Sequence, residues 1–397
     1  MASGSDHADV VVIGCGVAGA WTALMLAEAG IGRIVVFDSS YPGAGASTKG
    51  TGLIRVHHAN RFEMDLAFRS RRYYREWAST VGVGTCGWRD TGLLWMVGPE
   101  NVSRLHENAA VQRDIGCNAD VLGPEAIVAR WPHLSPEGVG AAVHEPEGGT
   151  AIGQLAIDGL VSRLLAEGVE VRSHTPISRI VRRGGRVTGV ESAAGPLNAE
   201  HVVLAAGAWS AQLAKTAGVE LPLTSTRATL GTAYYPPAIE PAVAIFDEVL
   251  DCGFAPRAGG QWAALSVRDA DFLAPVDPDR CHQPEAEAAH AGLRLVARRI
   301  PALKDATLGS RWAAADGTTP DGRPIIGEHP EVAGLFIHAG GNFKGFKMAP
   351  IGAYGLVLEM VGRSDPSVDI SAYGPSRFLA RTHAPWETGP YANSRWT

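Results

Sequence analysis

The chain has 397 residues, a formal net charge of -6, 46% hydrophobic residues and 19% charged residues. These values are typical of a globular protein that is long enough for two domains, and the acidic balance excludes the basic surface that nucleic-acid binding requires. The five cysteines lie far apart, without the Cys/His spacing of a metal site, so we predict structural thiols and no metal ion.

The first ordered stretch, from Asp9 to Asp38, predicts a strand, a glycine turn, a helix and a second strand. The turn has the pattern G-x-G-x-x-G, in which Gly14 permits the tight turn, Gly16 lets a pyrophosphate approach the backbone, and Gly19 lets helix and strand pack closely. The free N–H groups at the helix N-terminus would face the phosphates. Asp38 ends the second strand, where a carboxylate can bind both hydroxyls of an adenosine ribose and would repel a 2′-phosphate. The stretch therefore predicts a dinucleotide site and argues against NADP.

The apolar run between residues 10 and 31 could be confused with a membrane span or a signal peptide. The glycine turn and Glu28 interrupt this run, no positively charged region precedes it, and no small-residue cleavage site is evident. We therefore predict a cytoplasmic protein that does not contact a membrane.

Residues 39–52 follow the second strand and are rich in Gly, Ala, Ser and Thr. Their backbone N–H groups and hydroxyls could contact phosphates or a ring, and the alternative is a plain surface loop. From the apolar spacing that follows we expect helices over about 61–81, 101–115, 123–131, 154–167, 285–300 and 348–361, and strands over 93–97, 169–171, 177–181, 187–192 and 335–338. Residues 221–272 alternate apolar segments with turns, as an antiparallel sheet would, and residues 310–326 are predicted to be rich in loops.

Four motifs follow one another along the chain: the glycine turn at Gly14, A-A-G-A-W over 205–209, T-P-D-G-R-P-I-I-G over 319–327, and G-F-K over 345–347. With these motifs in this order, the chain resembles the D-amino-acid oxidase/glycine oxidase/sarcosine oxidase (DAO) family of FAD-dependent oxidoreductases, over nearly its whole length to about Ala380. Two local patterns are most similar to monomeric sarcosine oxidase, namely S-x-x-G-x-x-L-I-R over 47–55 and the G-F-K itself.

The resemblance implies an α/β fold with two domains. A Rossmann-like FAD-binding domain of the glutathione-reductase type would pair with a second, mixed-sheet α+β domain that holds the substrate over the flavin. The implied division assigns residues 1–83, 145–222 and 310–381 to the FAD-binding domain, 84–144 and 223–309 to the substrate domain, and 382–397 to a C-terminal tail.

The resemblance also implies which residues hold FAD. Lys347 and the N-terminus of the helix that begins at Met348 would lie at the N1/C2=O edge of the flavin, where reduced flavin carries negative charge. Stabilising that charge makes the flavin a better hydride acceptor. The implied FAD-binding residues are Gly14, Gly16, Val17, Ala18, Gly19, Asp38, Ser39, Ser47, Thr48, Gly52, Leu53, Ile177, Ala206, Gly207, Trp209, Gly345, Phe346 and Lys347.

The family removes a hydride from the carbon next to an amine nitrogen and places it on flavin N5, and the imine product hydrolyses in water. Arg55 and Lys347 match the two positions that hold the substrate carboxylate in the sarcosine branch. Two such cations would also lower the pKa of a bound ammonium and favour the reactive neutral amine. The alternatives are a surface ion pair for Arg55 and a flavin contact alone for Lys347. Further candidates for the substrate pocket are His57, Asn342, Phe343 and Lys344, of which the histidine could instead belong to the core.

Three departures from the sarcosine branch bear on the chemistry. Ala314 stands where that branch attaches its flavin to a cysteine, so we predict noncovalent FAD. Ala264 stands at the lysine that helps to activate oxygen, which leaves open whether O2 or another electron acceptor reoxidises the flavin. Arg268 and Asp316 replace a histidine and a tyrosine, and as a pair over the flavin they indicate a larger or more polar substrate, the alternative being a structural salt bridge. The catalytic candidates are thus Arg55, Lys347, Arg268 and Asp316.

Together these features predict an FAD-dependent oxidoreductase that oxidises the C–N bond of an amino acid or secondary amine carrying a carboxylate, giving an imine. Its partners would be a small-molecule amine or amino-acid substrate and an electron acceptor. Two alternatives stay open: a flavin-dependent desaturase, tailoring oxidoreductase or amine dehydrogenase of a biosynthetic pathway, and a noncatalytic FAD-binding protein. An NAD-dependent dehydrogenase is disfavoured, because the flavin-type terminal helix would then have no purpose.

Overall fold

The computed structural model describes residues 7–235, 239–257, 261–265, 274–281 and 286–379, with the backbone alone for 261–265 and for Ala286. The strands in chain order are β1 (His7–Ile13), β2 (Ile34–Phe37), β3 (Leu53–Ile54), β4 (Leu93–Val97), β5 (Asp120–Leu122), β6 (Ala141–Glu145), β7 (Gly149–Thr150), β8 (Glu170–Arg172), β9 (Ile177–Arg183), β10 (Arg186–Ser192), β11 (Gly195–Leu204), β12 (Thr224–Tyr234), β13 (Ala244–Asp247), β14 (Cys252–Pro256), β15 (Gln261–Leu265), β16 (Thr307–Thr318), β17 (Ile325–Glu328) and β18 (Leu335–Ala339). The α-helices are α1 (Val17–Glu28), α2 (Arg61–Arg75), α3 (Trp77–Thr80), α4 (Val102–Asp114), α5 (Pro124–Arg130), α6 (Gly153–Ala166), α7 (Ser210–Thr216), α8 (Ala286–Arg299) and α9 (Gly345–Met360).

The first large sheet contains the predicted nucleotide-binding unit. Its order is β17-β18-β11-β1-β2-β8, with β10 paired to β11 and β9 paired to β10. β1 lies parallel to both β2 and β11, and α1 connects β1 to β2. This is the strand–helix–strand arrangement that the glycine turn predicts, at the centre of a mostly parallel sheet.

The second large sheet has the order β16-β12-β15-β14-β13-β4-β6-β5. Its pairings are antiparallel except that β13 lies parallel to β4. The predicted antiparallel sheet over 221–272 is therefore confirmed for the described strands β12, β13, β14 and β15. β3 and β7 form a separate two-stranded sheet.

The prediction that residues 310–326 are rich in loops is wrong for the first half of that segment. β16 is a 12-residue strand that ends at Thr318 and pairs with β12 along most of its length. Its Ala-Ala-Ala run has no strand signal of its own, so the pairing decides the structure in place of local propensity. The division of the chain into domains stays a prediction, with β16 in the second sheet.

Two helix boundaries differ from the expected ones. The helix expected over 61–81 is divided at Glu76 into α2 and α3. α9 begins at Gly345 rather than Met348, so the G-F-K motif forms its first turn. The residues of that motif are therefore fixed by helical geometry rather than by a preceding loop.

The helices around α1 share one core. α1 packs against both α6 and α9, and α2 packs against α9. Trp21 of α1 is fully buried and makes edge-on ring contacts with Tyr73, Tyr74 and Trp77, each such side chain contributing about 1.5–3 kcal/mol of burial free energy. None of the helices within the described ranges is long and apolar enough to cross a membrane.

Candidate active site

A cavity of about 1300 Å³ is lined by residues of both large sheets, among them Phe37 and Ala339 of the first and Thr224 and Ala315 of the second. The predicted residues on its wall are Gly14, Gly16, Val17, Ala18, Asp38, Ser39, Ser47, Gly52, Leu53, Arg55, Ile177, Ala206, Gly207, Trp209, Asp316, Asn342, Phe343, Lys344, Gly345, Phe346 and Lys347. Gly19, Thr48 and His57 lie behind this wall. Arg268 lies outside the described residues, and the Ala264 side chain is likewise not described.

At one end of the cavity the glycine turn brings helix and strand closer than any other residue would allow. Gly14 has a φ of 101°, and a Cβ there would lie 2.5 Å from the Ala205 carbonyl oxygen. A Cβ on Gly19 would lie 1.9 Å from the Gly14 carbonyl oxygen. The N–H of Val17 at the start of α1 donates to the Ser47 hydroxyl at 2.9 Å. Gly16, Val17 and Ala18 line the cavity, so the turn places on its wall a helix N-terminus of the kind that binds phosphates.

Asp38 follows β2 at the same end. Its Oδ2 accepts from the Cys15 N–H at 2.9 Å and its Oδ1 accepts from the Ser40 N–H at 2.9 Å. Burial raises the pKa of the Asp38 carboxyl, and these two N–H groups together with His174 oppose that rise. The carboxylate is held by backbone N–H groups, and the remaining lone pairs of its oxygens could accept from ribose hydroxyls.

The shape of the wall fits an extended dinucleotide such as FAD. Gly207 and Gly345 both line the cavity, and a Cβ on either would meet no neighbouring atom within 4 Å. The bare backbone therefore faces open space at both positions, one following β11 and the other at the start of α9. With the glycine turn and Asp38, these positions form the cradle that FAD would occupy.

The N-terminus of α9 is tied to α2 at an unusual point. Pro350 lies inside α9 and has no N–H to donate to the Phe346 carbonyl. The Tyr74 hydroxyl of α2 donates to that carbonyl instead. The Ser70 hydroxyl donates to the Met348 carbonyl at 3.3 Å and accepts from the Ile351 N–H at 3.2 Å. The first turn of α9 is thereby held in place at the cavity wall.

The turn before α9 holds two consecutive non-glycine residues in the left-handed region. Asn342 has a φ of 49° and Phe343 a φ of 59°, a conformation that costs about 1–3 kcal/mol for each residue. The Asn342 Oδ1 accepts from the Thr319 N–H at 2.9 Å, and the Asn342 N–H donates to the Gly317 carbonyl at 3.0 Å. These two hydrogen bonds, from Thr319 and to Gly317, hold the turn in its left-handed conformation. In that conformation the Phe343 N–H donates to Asp316.

Arg55 lies at the other end of the cavity, and only 3% of its surface is exposed. Its guanidinium carbon lies 4.3 Å from the ring centroid of Trp95 and 4.8 Å from that of Phe246. It also donates to the His57 carbonyl. Burial lowers the pKa of Arg55 to about 10, although nearby carboxylates oppose this, so the side chain stays a cation at neutral pH. The surface ion pair considered for Arg55 is ruled out by this burial.

Lys347 lines the cavity close to Arg55, with 5% of its surface exposed. Burial, Arg55 and Lys344 lower the pKa of Lys347 well below its usual value, against the opposing effect of Glu63 and Glu145. No residue in the described ranges accepts a hydrogen bond from its Nζ. Lys347 is therefore a desolvated amine that an anion in the cavity would stabilise in its charged form.

Lys344, three residues before Lys347, has a partner for its charge. Its Nζ forms a buried ion pair with Glu63 Oε1, and Glu63 Oε2 accepts from His58 Nδ1 at 3.3 Å. Burial would raise the pKa of Glu63, yet Lys344 and His58 hold it well below its usual value. The charge of Lys344 is thus compensated, and Arg55 and Lys347 remain as the cations available to a ligand at this end.

Asp316 is a carboxylate that lines this end of the cavity. Gly317 donates its N–H to Oδ1 at 2.9 Å and Phe343 donates its N–H to Oδ2 at 2.6 Å. Burial raises the pKa of Asp316 to about 6, against these N–H groups and Lys347. The side chain forms no ion pair with any described residue.

Several residues of this end give no signal in the sequence. Glu145, at the end of β6, accepts from the N–H groups of Val56 at 2.9 Å and His57 at 2.6 Å, and from Gln112 Nε2 at 2.8 Å. His57 donates through Nδ1 to the Gln112 side chain, and burial lowers the pKa of His57 to about 3. His57 is thus a neutral member of a buried network behind Arg55. Glu145 is 89 residues from Val56 along the chain, and no local pattern connects them.

The chain is similar to known proteins over most of its length. The family profile of the FAD dependent oxidoreductases (DAO) matches residues 9–357. The chain is 29% identical over 378 residues to glycine oxidase of Pseudomonas putida, which covers 92% of this chain and 98% of that protein. It is 25% identical over 394 residues to mitochondrial sarcosine dehydrogenase of Mus musculus, a match that covers 94% of this chain but 41% of that protein.

Solved structures share the fold. L-proline dehydrogenase from P. horikoshii superposes with a TM-score of 0.85 at 22% identity, covering 94% of this chain and 98% of that one. Glycine oxidase from Geobacillus kaustophilus superposes with a TM-score of 0.82 at 22% identity, covering 95% of this chain and 99% of that one. The predicted family, enzyme class and fold are confirmed. The chain belongs to the DAO family of FAD-dependent oxidoreductases.

Proposed function

We propose that this protein oxidises the C–N bond of an amino acid or secondary amine that carries a carboxylate, giving an imine. The observation that carries the proposal is the pair of buried basic side chains, Arg55 and Lys347, that line the cavity. Both are desolvated, and Lys347 has no acceptor among the described residues. A substrate carboxylate would supply the missing counter-charge.

The two cations would divide the work of holding that carboxylate. Arg55 offers a planar fork suited to a bidentate hold, and its contacts with Trp95 and Phe246 keep the guanidinium in one orientation before the ligand arrives. Lys347 adds a point charge. Such preorganisation lowers the entropic cost of placing the reacting carbon.

The other end of the cavity would hold the cofactor. The pyrophosphate would meet the glycine turn and the N-terminus of α1, and Asp38 would bind the adenosine ribose. FAD, when bound, supplies the hydride acceptor. The N-terminus of α9 and Lys347 would stabilise negative charge at the edge of its ring.

We also propose that FAD is held noncovalently. Ala314 lines the cavity where the sarcosine branch has its flavin-linked cysteine, and none of the five cysteines of the chain lines it. Acid precipitation should leave the yellow colour in the supernatant. Colour that stays with the precipitated protein would contradict this expectation.

The electron acceptor is proposed to be O2 or another small acceptor, and the site of action to be the cytoplasm. The acceptor question can be tested directly after anaerobic reduction. Rapid return of the flavin colour on admitting air would identify an oxidase, and slow return would identify a dehydrogenase.

The central test is anaerobic mixing of the holoenzyme with glycine, sarcosine, D-alanine and L-proline, followed by absorbance of the flavin bands. We expect at least one carboxylate-bearing amine to bleach the flavin, while methylamine and pyrrolidine, which have no carboxylate, do not. Equal bleaching by the amines without a carboxylate would overturn the role of Arg55 and Lys347. No bleaching by any of them would favour a noncatalytic FAD-binding protein.

A further inference from the structure

Three acidic residues lie on the described wall of the cavity: Asp38, Asp279 and Asp316. Asp38 belongs to the nucleotide end, and Asp279 Oδ1 already accepts from the Trp209 indole N–H at 2.8 Å. Asp316 shares its end of the cavity with Lys347, which acts on its carboxyl. Among the acidic residues on the described wall, Asp316 is therefore the one that shares its surroundings with Lys347.

The Asp316 carboxylate has a fixed position with accepting capacity to spare. Each oxygen accepts one backbone N–H, from Gly317 and from Phe343, and a carboxylate oxygen has two lone pairs. The Phe343 donor belongs to the strained turn before α9. The turn thus aims the carboxylate, and the remaining lone pairs are available to a ligand.

The charges that act on Asp316 come from the side of α9. Lys347 is the cation that opposes the rise of its pKa. On the neighbouring strand β12, the residue opposite Asp316 is Thr226, whose buried hydroxyl has no hydrogen-bond partner within the described ranges. Arg227 follows on β12, opposite Ala315. No cation of the described part of β12 thus forms an ion pair with the carboxylate.

An amino-acid substrate is a zwitterion, and this end of the cavity has complementary charges. Arg55 and Lys347 suit the substrate carboxylate, and they disfavour an ammonium group beside them. An anion is needed to receive that ammonium, and a base is needed to make it neutral before hydride can leave the adjacent carbon. Since burial raises the pKa of Asp316 to about 6, its carboxylate is ionised at neutral pH yet more basic than an ordinary aspartate.

We propose that Asp316 receives the ammonium nitrogen of the substrate and takes one of its protons. An N–H bond breaks, an O–H bond forms on the Asp316 carboxylate, and the electron pair stays on nitrogen, so this step is a proton transfer without oxidation. The inference rests on the proposed function, because it requires a substrate with both a carboxylate and an amine.

The test compares wild type with Asp316→Asn, which has nearly the same size but cannot take the proton. The limiting rate constant of flavin reduction by sarcosine or L-proline is measured anaerobically from about pH 5 to about pH 10, together with the Kd of acetate, an anion without an amine. In the variant we expect the rate constant at neutral pH to fall about 100-fold or more and to recover as the pH approaches the pKa of the substrate ammonium. The Kd of acetate should not rise, because the variant removes a negative charge beside the anion site, and Asp120→Asn, a change at an exposed aspartate on β5, behaves as wild type.

Several results would overturn the inference. One is a variant with the wild-type rate constant and pH profile. Another is a variant in which acetate binding weakens as much as reduction slows, which would assign Asp316 a structural role. If the variant fails to fold or to bind FAD, the wild type alone decides, because a rate constant that does not change between about pH 5 and about pH 7 excludes Asp316 as the base.

If the proposed function itself is wrong, the results differ from those that would refute the proton transfer alone. In that case wild type neither binds acetate at this site nor is reduced by any carboxylate-bearing amine, whatever residue stands at position 316. Reduction of the wild type together with an unaffected Asp316→Asn variant refutes the proton transfer alone. Asp316→Glu keeps a carboxylate, and it should retain the wild-type shape of the pH profile at a lower rate.

Discussion

The two ends of the cavity are built from different kinds of contact. At the nucleotide end the contacts are made by backbone groups. Gly19 packs against the Gly14 carbonyl, and two backbone N–H groups donate to the Asp38 carboxylate. At the substrate end, charged side chains from α2, β6, β16, α9 and the segment after β3 converge, and their partners include buried side chains as well as backbone groups. The first end depends on shape, and the second depends on the balance of buried charge.

Gly19→Ala, at the nucleotide end, is expected to have the largest effect. The new Cβ would lie 1.9 Å from the Gly14 carbonyl oxygen, and backbone on both sides cannot give way. We expect a loss of at least about 5 kcal/mol of unfolding free energy and no FAD in the purified protein. The measurement is flavin content together with the thermal midpoint.

Gly123→Ala is the matched control, because a Cβ at Gly123 would meet no atom within 4 Å and its φ is -75°. Gly123 is the N-cap of α5, where alanine is a poorer cap than glycine, so the change should cost only about 1 kcal/mol. A stable, FAD-loaded Gly19→Ala protein would contradict the geometry of the turn.

At the substrate end, two lysines of one turn should respond in opposite ways. Lys344→Met leaves Glu63 buried without its cation, so we expect a loss of about 3–5 kcal/mol in unfolding free energy. Lys347→Met removes a desolvated amine that has no acceptor among the described residues, and it should leave stability equal or higher while it weakens acetate binding. Urea unfolding and acetate titration separate the two effects, with the exposed Lys215→Met as control.

A stable Lys344→Met variant together with a destabilised Lys347→Met variant would contradict the roles assigned to the two lysines. A double change of Lys344→Met with Glu63→Gln removes both partners of the pair. It should recover part of the stability lost in the single variant, because no full charge then stays buried alone.

Arg55→Ala should weaken the binding and turnover of the substrate. It removes one cation of the proposed carboxylate site, and we expect kcat/KM for a carboxylate-bearing amine to fall by the equivalent of about 2–5 kcal/mol. Arg55→Lys keeps a positive charge but loses the planar guanidinium that can hold a carboxylate with two hydrogen bonds. Its kcat/KM should lie between those of wild type and Arg55→Ala. Arg61→Ala, at an exposed arginine, is the control, and a kinetically unchanged Arg55→Ala enzyme would rule out the carboxylate role.

The smallest expected effect concerns the tie between α2 and α9. Tyr74→Phe leaves the Phe346 carbonyl without its donor, since Pro350 cannot replace it. We expect a loss of about 1–3 kcal/mol in unfolding free energy. Adding Pro350→Ala restores an N–H in the helix, so the double variant should be more stable than Tyr74→Phe alone in denaturant unfolding.

The comparison of the two ends also explains what the sequence could predict. The glycine turn and Asp38 are local patterns that imply their own geometry, and both lie where they were expected. Glu145 and Trp95 act on Arg55 from distant segments, and only the folded sheet brings them there. The segment 310–318 was predicted as loop for the same reason, because its strand character comes from pairing with β12.

The desolvated state of Lys347 links ligand binding to the protonation of the protein. Burial and neighbouring cations lower the pKa of this amine, and an anion bound beside it would raise that pKa again. At a pH between the lowered pKa of the free protein and the raised pKa of the complex, acetate should therefore bind with uptake of a proton from the buffer. At a pH below the lowered pKa, the amine is already charged and no uptake accompanies binding. The measured binding enthalpy should consequently depend on the ionisation enthalpy of the buffer, and Lys347→Met should abolish that dependence.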